Sequence, residues 1–503
     1  MTSPVVPPGA HTAPIIPEKI VGLREKIGYA AGDFASVLYF KVFASFLMFF
    51  YTDIIGISAA VIGTMLIVTR IFDAVNDPVM GMICDRTQSR HGKFRPWLRW
   101  MIIPYAVSGI AVFTVPDWGS TGQIVYVYAS YTLAMVFYTA INIPYGALMG
   151  VMTPHSNERT VLASFRFYGA FGSNLFVQAT ILILVVKLGG SADGDTATQA
   201  GYVNTMILYA LGAAALFLFT FYTSKERVQV PKGQEMNLKK DLAQLVKNKP
   251  WLAIIVVGVT TIIWIALRDA ALLYYVRYYV VGAVEDTGRF VTLATAFNVV
   301  GSIATLVGVA CTKWFTVLFR GKKNAYICLT LIVALVGTSY YFVGGADPAT
   351  GAEVLENASL MEMLFASNVI YILIIQMVAA LFMGPLMPLF WSMIADTADY
   401  SEWKFGRRFT GLVFSAGTFS QKVGWAVGPG FAGYLLAFYG FQANVAQSEE
   451  TLHGLRLMMS FIPSVIGVGA AALVLLYGIN HKLELQMERE LAARKAAEGS
   501  LET

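Results

Sequence analysis

The chain has 503 residues, of which 56% are hydrophobic and only 13% charged, with a formal net charge of +5 and a mean hydropathy of +0.61. A soluble domain carries about a quarter of its residues as charges, so too little charge is present to solvate a globular surface of this size, and an ordinary soluble enzyme is excluded. The modest positive balance suits loops facing an anionic leaflet better than a nucleic-acid surface.

The N-terminus, MTSPVVPPGAHTAPIIPEK, is rich in proline and has no apolar core. It reads as a disordered cytoplasmic tail over 1–25 rather than a signal peptide. Apolar runs long enough to cross a bilayer, about 20 residues, then recur to the end. The pattern predicts helices at 27–52, 58–84, 97–115, 122–150, 160–188, 201–223, 251–281, 289–310, 325–344, 364–394, 409–438 and 456–480. Uninterrupted stretches such as LFVQATILILVV contradict the alternating strands of about 10 residues that a β-barrel needs. Backbone groups in lipid must pair within their own segment, so each run is a helix. The expected fold is an all-α membrane protein of twelve spans in two six-helix bundles, 26–223 and 251–481.

Basic residues assign the sides. Arg86, Arg90, Lys93, Arg95 and Arg99 follow span two; Lys225, Arg227, Lys232, Lys239, Lys240, Lys247 and Lys249 follow span six. Lys313, Arg320, Lys322 and Lys323 follow span eight, and Lys404, Arg407 and Arg408 follow span ten. The opposite loops carry Asp53, Asp117, Asp193, Asp195, Glu285, Asp286, Glu353, Glu356, Glu449 and Glu450. The basic loops and both termini are therefore expected in the cytoplasm, with 224–250 a cytoplasmic linker between the halves and 482–503 a charged cytoplasmic tail. A faint repeat supports the division: IPYGALMGVMTPHSNERT after span four resembles MPLFWSMIADTADYSEWK after span ten. Two related halves are a common way to build one midplane site with alternating access.

A charge at a helix centre costs about 2.5–3.5 kcal/mol on insertion scales, so an intramembrane ionisable residue is a functional candidate. In span two, Asp73, Asn76 and Asp77 stand at i, i+3 and i+4, on one helical face. Asp73 lies about 16 Å from the cytoplasmic end of the span at the helical rise. Two carboxylates so close repel; one takes a proton, or a hard cation sits between them. The competing reading is that Arg70 and a distant lysine neutralise the pair. Lys422, about a dozen residues into span eleven, suits that neutralising role, or gating. Arg166 in span five, Asp33 and Lys41 in span one, and the adjacent Arg268 and Asp269 in span seven complete the set. Tyr138, Tyr145, Trp264, Trp391 and Trp425 are aromatic residues on which a sugar ring could stack, packing being the plainer role for each. The three cysteines, Cys84, Cys311 and Cys328, have spacings that suit neither zinc nor disulfides. The five histidines lie in tails, loops or span ends, and no nucleophile elbow, phosphate loop or metal-ligand pair is present. No catalytic residue is expected, and a membrane enzyme or receptor is disfavoured.

At this point FFYTDIIGIS…GTMLIVTRIFDAVNDPVMGMICDRTQSRHGKFRPW closely resembles the glycoside–pentoside–hexuronide:cation symporters, the melibiose-permease-like branch of the major facilitator superfamily. Gly81-x-x-x-Asp85-Arg86 is similar to the superfamily's signature after span two, a gating element. YTAINIPYGAL, ASFRFYGAFG, LRDAALLYYVRYYVVG, MIADTADYSEWKFGRRFTG and FSQKVGWAVG extend the resemblance over about residues 26 to 480. It implies that Asp73, Asn76, Asp77 and Thr139 form the coupling-cation site, that Lys422 lies close to it, and that Arg166 faces the sugar cavity. The chain departs from the melibiose-type pattern at substrate-facing positions: Val37 and Asn142 stand where acids are expected, Gly146 where an aromatic is, and Trp391 is offset. Asp33 in AGDF looks more like the xyloside and glucuronide branch.

The resulting expectation is a Na⁺- or H⁺-coupled symporter of a sugar, glycoside, pentoside or hexuronide in the bacterial inner membrane, working as a monomer among lipid, with no cofactor and no metal beyond the transported cation. Asp33, Asn142, Tyr145, Arg166 and Trp391 are expected at the substrate; Lys422, Arg70, Asp85 and Arg86 in coupling and gating. Thr139 and Asn76 supply neutral oxygens, which favour Na⁺. A lysolipid or other amphiphile carrier of the same fold is the alternative.

Overall fold

The computed structural model describes residues 21–153, 156–190, 197–227, 245–282, 286–343, 367–406 and 410–501. The expected tail before residue 21, most of the linker 224–250, the last two residues, and Asp193, Asp195, Glu285, Glu353, Glu356, Arg407 and Arg408 lie outside the described residues.

The described chain is helical, with helices in each of the twelve predicted intervals. They are α1 (Leu23–Ser45, continued after a 50° bend by Leu47–Ile54), α2 (Ala59–Arg86), α3 (Arg95–Trp100 and Ile102–Ala111) and α4 (Gly119–Met152). There follow α5 (Ser156–Lys187), α6 (Gln199–Thr223), α7 (Lys249–Tyr274, continued by Tyr275–Val281) and α8 (Thr287–Ala310). The series ends with α9 (Lys322–Thr338), α10 (Ser367–Met383 and Leu386–Phe405), α11 (Thr410–Phe438) and α12 (Glu449–Met459 and Phe461–Val474), and a final helix, α13 (His481–Leu501), occupies the expected tail. Among the described residues, eight segments are long and apolar enough to cross a bilayer alone, nine with the bent α1. Arg70, Asp73 and Asp77 interrupt α2, leaving only Ala59–Arg70 as an apolar piece, and α3 is broken into two short helices.

Local sequence sets these boundaries. Asn248, Asp286 and Ser448 accept hydrogen bonds from the third backbone N–H beyond them and start α7, α8 and α12; Thr198 does the same for α6. Such caps satisfy donors that the first turn leaves orphaned. Gly406 ends α10 at φ 68°, a conformation that costs a side chain but not glycine.

Helix pairing repeats with a period of six. In the first half α1 packs on α5 and α6, α2 on α4, and α3 on α4 and α6. In the second, α7 packs on α11 and α12, α8 on α10, and α9 on α10 and α12. The halves meet along α2–α11 and α5–α8, which the same shift exchanges. Glycines make the first seam close: a Cβ on Gly63 would meet Gly430 O at 2.7 Å, and one on Gly433 would meet Gly63 Cα at 3.1 Å.

Asp53 departs from its predicted place. It is not a loop acid but lies in a π-helical turn, Phe50–Ile54, that closes α1, and it is buried.

Candidate functional site

α2 presents Asp73 and Asp77 inward because the residues sharing their face pack on α4 and α11, while Phe72 and Val79 look outward. Asp73 is 1% exposed. From α4, Thr139 Oγ1 donates to Asp73 Oδ1 at 2.7 Å and approaches Asp77 Oδ1 at 3.2 Å. From α11, in the other half, Lys422 Nζ reaches Asp77 Oδ2 in a short ion pair and lies 3.3 Å from Asp73 Oδ2. Arg70 Nη1 stands 3.7 Å from the same Asp73 oxygen, with its guanidinium over the Phe40 ring at 5.8 Å. Asp73 Oδ2 accepts no hydrogen bond among the described residues. Asn76 is half-buried on the same face of α2 and has no described hydrogen-bond partner.

Two carboxylates thus face one ammonium and one guanidinium. The charges balance with no added ion, so in this conformation the neutralisation weighed as the competing reading is what the molecule shows. In this conformation the pair is not left unsatisfied: Lys422, arriving across the seam between the halves, neutralises it. The sequence could offer Lys422 as a candidate but not its partner, since 345 positions separate it from Asp77.

One turn further along α4, Asn142 accepts a hydrogen bond from Ser36 of α1 at 2.6 Å and donates to Tyr138 O at 3.0 Å. Ser36 follows Asp33 by three residues on α1. Arg166 of α5 grips Asp33 with two hydrogen bonds, Nε to Oδ2 at 2.5 Å and Nη2 to Oδ1 at 3.1 Å. A bidentate pair of this kind fixes both side chains. Both retain some exposure, 29% for the Arg166 side chain and 13% for Asp33.

Two of the expected substrate residues pack against protein in this conformation. Tyr145 is 1% exposed; its ring lies against Tyr29 with centroids 4.8 Å apart, the Arg166 guanidinium is over it at 5.1 Å, and its hydroxyl donates to Tyr29 O at 2.7 Å. It offers no face to a ligand and instead props the ion pair. Trp391 is half-buried and stacked on Phe414 at 5.9 Å, between α10 and α11. Trp264 is packed behind Gly467 of α12. The aromatics beside the charges are Phe40, Tyr138 and Trp425: Phe40 meets Trp425 edge-on at 5.6 Å and Tyr138 at 6.2 Å, and all three are half-buried. Trp425 follows Lys422 by one turn, so the ammonium and an aromatic wall share one face of α11.

Arg86 is exposed at the end of α2, and the side chain of Asp85 lies outside the described residues. What sequence reasoning missed here is Glu226, whose carboxylate accepts backbone N–H groups of Lys93, Phe94 and Arg95, each at 2.9 Å, and so pins the basic loop to the start of α3. An acid at a helix N-terminus is favoured by the dipole, but nothing in the sequence joins residues this far apart. Nearby, Glu25 holds Arg227 in two 2.8 Å hydrogen bonds, which are the chief cause raising the arginine's pKa above its ordinary value. Lys41 of α1 and Asp269 of α7 also pair, at 2.6 Å across the halves.

The comparisons with known proteins agree with this architecture. A family model described as MFS/sugar transport protein matches residues 28–481. The chain belongs to that family. As a member of a transporter family it is a multi-pass membrane protein and not an enzyme. It is 32% identical to the putative glycoside/cation symporter YagG of Escherichia coli (strain K12), over 95% of this chain and 96% of the relative. It is also 32% identical to the isoprimeverose transporter of Lactiplantibacillus pentosus, over 98% and 96%. A solved bacterial homologue of the human lysosomal transporter Spinster shares the fold, with a TM-score of 0.62 at 12% identity, covering 92% of this chain and 97% of that one.

Proposed function

We propose that this family member is a cation-coupled symporter of a neutral or acidic sugar or glycoside, sited in a bacterial inner membrane with its basic loops and both termini in the cytoplasm. The halves 26–223 and 251–481, joined by 224–250, rock against one another around a midplane site. The observation that carries the reading is the ammonium of Lys422 inserted between two carboxylates of the other half. The names of the relatives, a glycoside/cation symporter and an isoprimeverose transporter, supply the substrate and ion classes.

Lys422 acts as a tethered counter-ion. The coupling cation competes for Asp73 Oδ2 and Asp77, with Thr139 and Asn76 as neutral oxygen ligands. Its arrival displaces the ammonium, keeps the carboxylates neutralised, and releases α11 from α2. The freed Lys422, one turn from Trp425, can then donate to a sugar hydroxyl, while Asp33, Arg166 and Asn142 line the facing wall. Sugar that holds Lys422 away tightens the cation, and by linkage the cation tightens the sugar equally. Na⁺ suits the neutral oxygens; H⁺ would require only the carboxylates. No observation favours an amphiphile carrier.

The test is uptake of labelled xylosides, hexosides and uronides into vesicles under an imposed Na⁺ gradient and, separately, a proton gradient. One ion should drive accumulation of one sugar class. Transport indifferent to monovalent cations and to pH would overturn the reading.

A further inference from the structure

On the acidic face, the corresponding ends of α1 and α7 meet. Both leave α-geometry there: α1 closes in the π-turn Phe50–Ile54 and α7 in the π-turn Tyr275–Val281, which stops at Gly282 with φ 71°. The six-helix shift that exchanges α2 with α8 and α5 with α11 also exchanges these two tips, so they face each other at the junction of the halves. Each carries one part of a polar cluster. Asp53, its side chain 0% exposed, accepts from Tyr278 Oη in a short hydrogen bond, from Thr52 Oγ1 at 2.7 Å and from Arg277 Nη1 at 3.4 Å. Thr52 in turn meets Tyr274 Oη at 2.7 Å. Asn444, from the loop between α11 and α12, sits at φ 61° and ties the cluster off: its amide donates to Asp53 O at 2.5 Å, its N–H donates to Tyr278 Oη at 3.0 Å, and its side-chain oxygen accepts from Arg277 at 2.9 Å. Phe49 and Phe290 cover the guanidinium at 5.4 and 5.7 Å. Deeper, Lys41 and Ser45 of α1 both bind Asp269 of α7, at 2.6 and 2.8 Å.

The ion pairs described near the basic face have a different character. Glu25 with Arg227 belongs to the first half and its exit, and Lys322 with Asp396 and Glu484 to the second. Among the described residues, the pairs that bridge the two halves are Asp53–Arg277, Lys41–Asp269 and Lys422 with Asp73 and Asp77.

We propose that Asp53, Arg277, Tyr278 and Asn444 form a gate that seals the acidic face, with Lys41–Asp269 as its inner rung, and that the two π-turns are its hinges. The inference rests on the alternating-access reading above. A π-turn accommodates one extra residue in its loop of hydrogen bonds; returning it to α-geometry rotates the tip that follows. Such a change at both tips turns Asp53 and Arg277 away from each other without unfolding either helix. The chemistry suits a reversible closure. Closed, Asp53 is fully buried and hydrogen-bonded and Arg277 is largely covered; open, both charges regain water. Removing one partner strands the other as a buried, uncompensated charge, which favours the open state rather than a merely looser closed one.

The test uses full-length protein in nanodiscs, with Cys84, Cys311 and Cys328 changed to Ser and spin labels at Trp118→Cys and Phe342→Cys. Both native residues are exposed on the acidic face, one in each half. The parent should show a dominant short distance. Asp53→Asn, Arg277→Gln and Asp269→Asn should each raise the ratio of long to short distance at least about tenfold, a change of about 1.4 kcal/mol, with Asn444→Ala giving a smaller rise. Unchanged distances in all three charge variants, when each remains monodisperse and melts cooperatively, would overturn the gate. The readout needs no ligand, so its failure and that of the sugar reading are separable: shifted distances alongside sugar-independent behaviour would uphold the gate and sink the substrate assignment.

Discussion

At the residue scale the decisive group is Lys422. Buried Asp73 and part-buried Asp77 hold one ammonium from the opposite half, and groups in such contact cannot be altered independently. Lys422→Met should remove the internal competitor and tighten coupling-cation binding about tenfold or more, read by titration calorimetry, while abolishing gradient-driven accumulation. Weaker cation binding in this variant would show the lysine to be a scaffold rather than a competitor. Asp73→Asn and Asp77→Asn should each reduce sugar accumulation in vesicles to simple equilibration while leaving membrane insertion intact; full accumulation in both would remove the cation site from α2. The triad Asp73, Asn76 and Asp77 was legible in the sequence because three residues on one helix share a face by spacing alone. That Tyr145 packs on Tyr29 and Trp391 on Phe414 in this conformation was not legible, because what an aromatic ring faces depends on the packing of other elements around it, which spacing does not encode.

At the element scale, the seam of α2 and α11 depends on missing side chains. Gly63→Ala would push a methyl group to 2.7 Å from Gly430 O, and the backbone there cannot yield as a side chain would. The overpacking should cost about 1–3 kcal/mol, visible as a lowered melting temperature, and should loosen the seal on the acidic face. An unchanged melting temperature would mean the helices slide freely. Glu226→Gln should cost about 1–2 kcal/mol, because three backbone donors at the start of α3 lose a charged acceptor; a protease cutting after the basic residues of loop 87–94 should then cleave faster. The helices themselves were readable from apolar runs and caps, whereas the bend in α1 and its π-turn were not. Asp53 looks like a loop acid in sequence because a charge at the end of an apolar run normally marks an exit to water. Here Thr52, Arg277 and Tyr278 donate to its carboxylate, and Asn444 to its backbone oxygen, and these four keep it inside.

For the whole molecule, a cation that binds this folded state but not the unfolded chain must stabilise it by about 2.7 kcal/mol at a hundredfold excess over its dissociation constant. Thermal unfolding in detergent with Na⁺, Li⁺, K⁺ and choline at fixed ionic strength should therefore single out Na⁺ if sodium is the coupling ion. No selectivity among them, together with stability that varies with pH, would assign the role to protons.

The sequence by itself determined that the chain lives in lipid, that it is all helix, which loops are basic, and that two acids share one face of span two. Those properties follow from hydropathy and helical period, which are local. Only the tertiary structure decided that the acids are already neutralised, that their partner comes from the other half, and that Asp53 is buried against Arg277. Each of these joins residues more than two hundred positions apart, and a pairing over that distance exists only once the helices that carry it have packed.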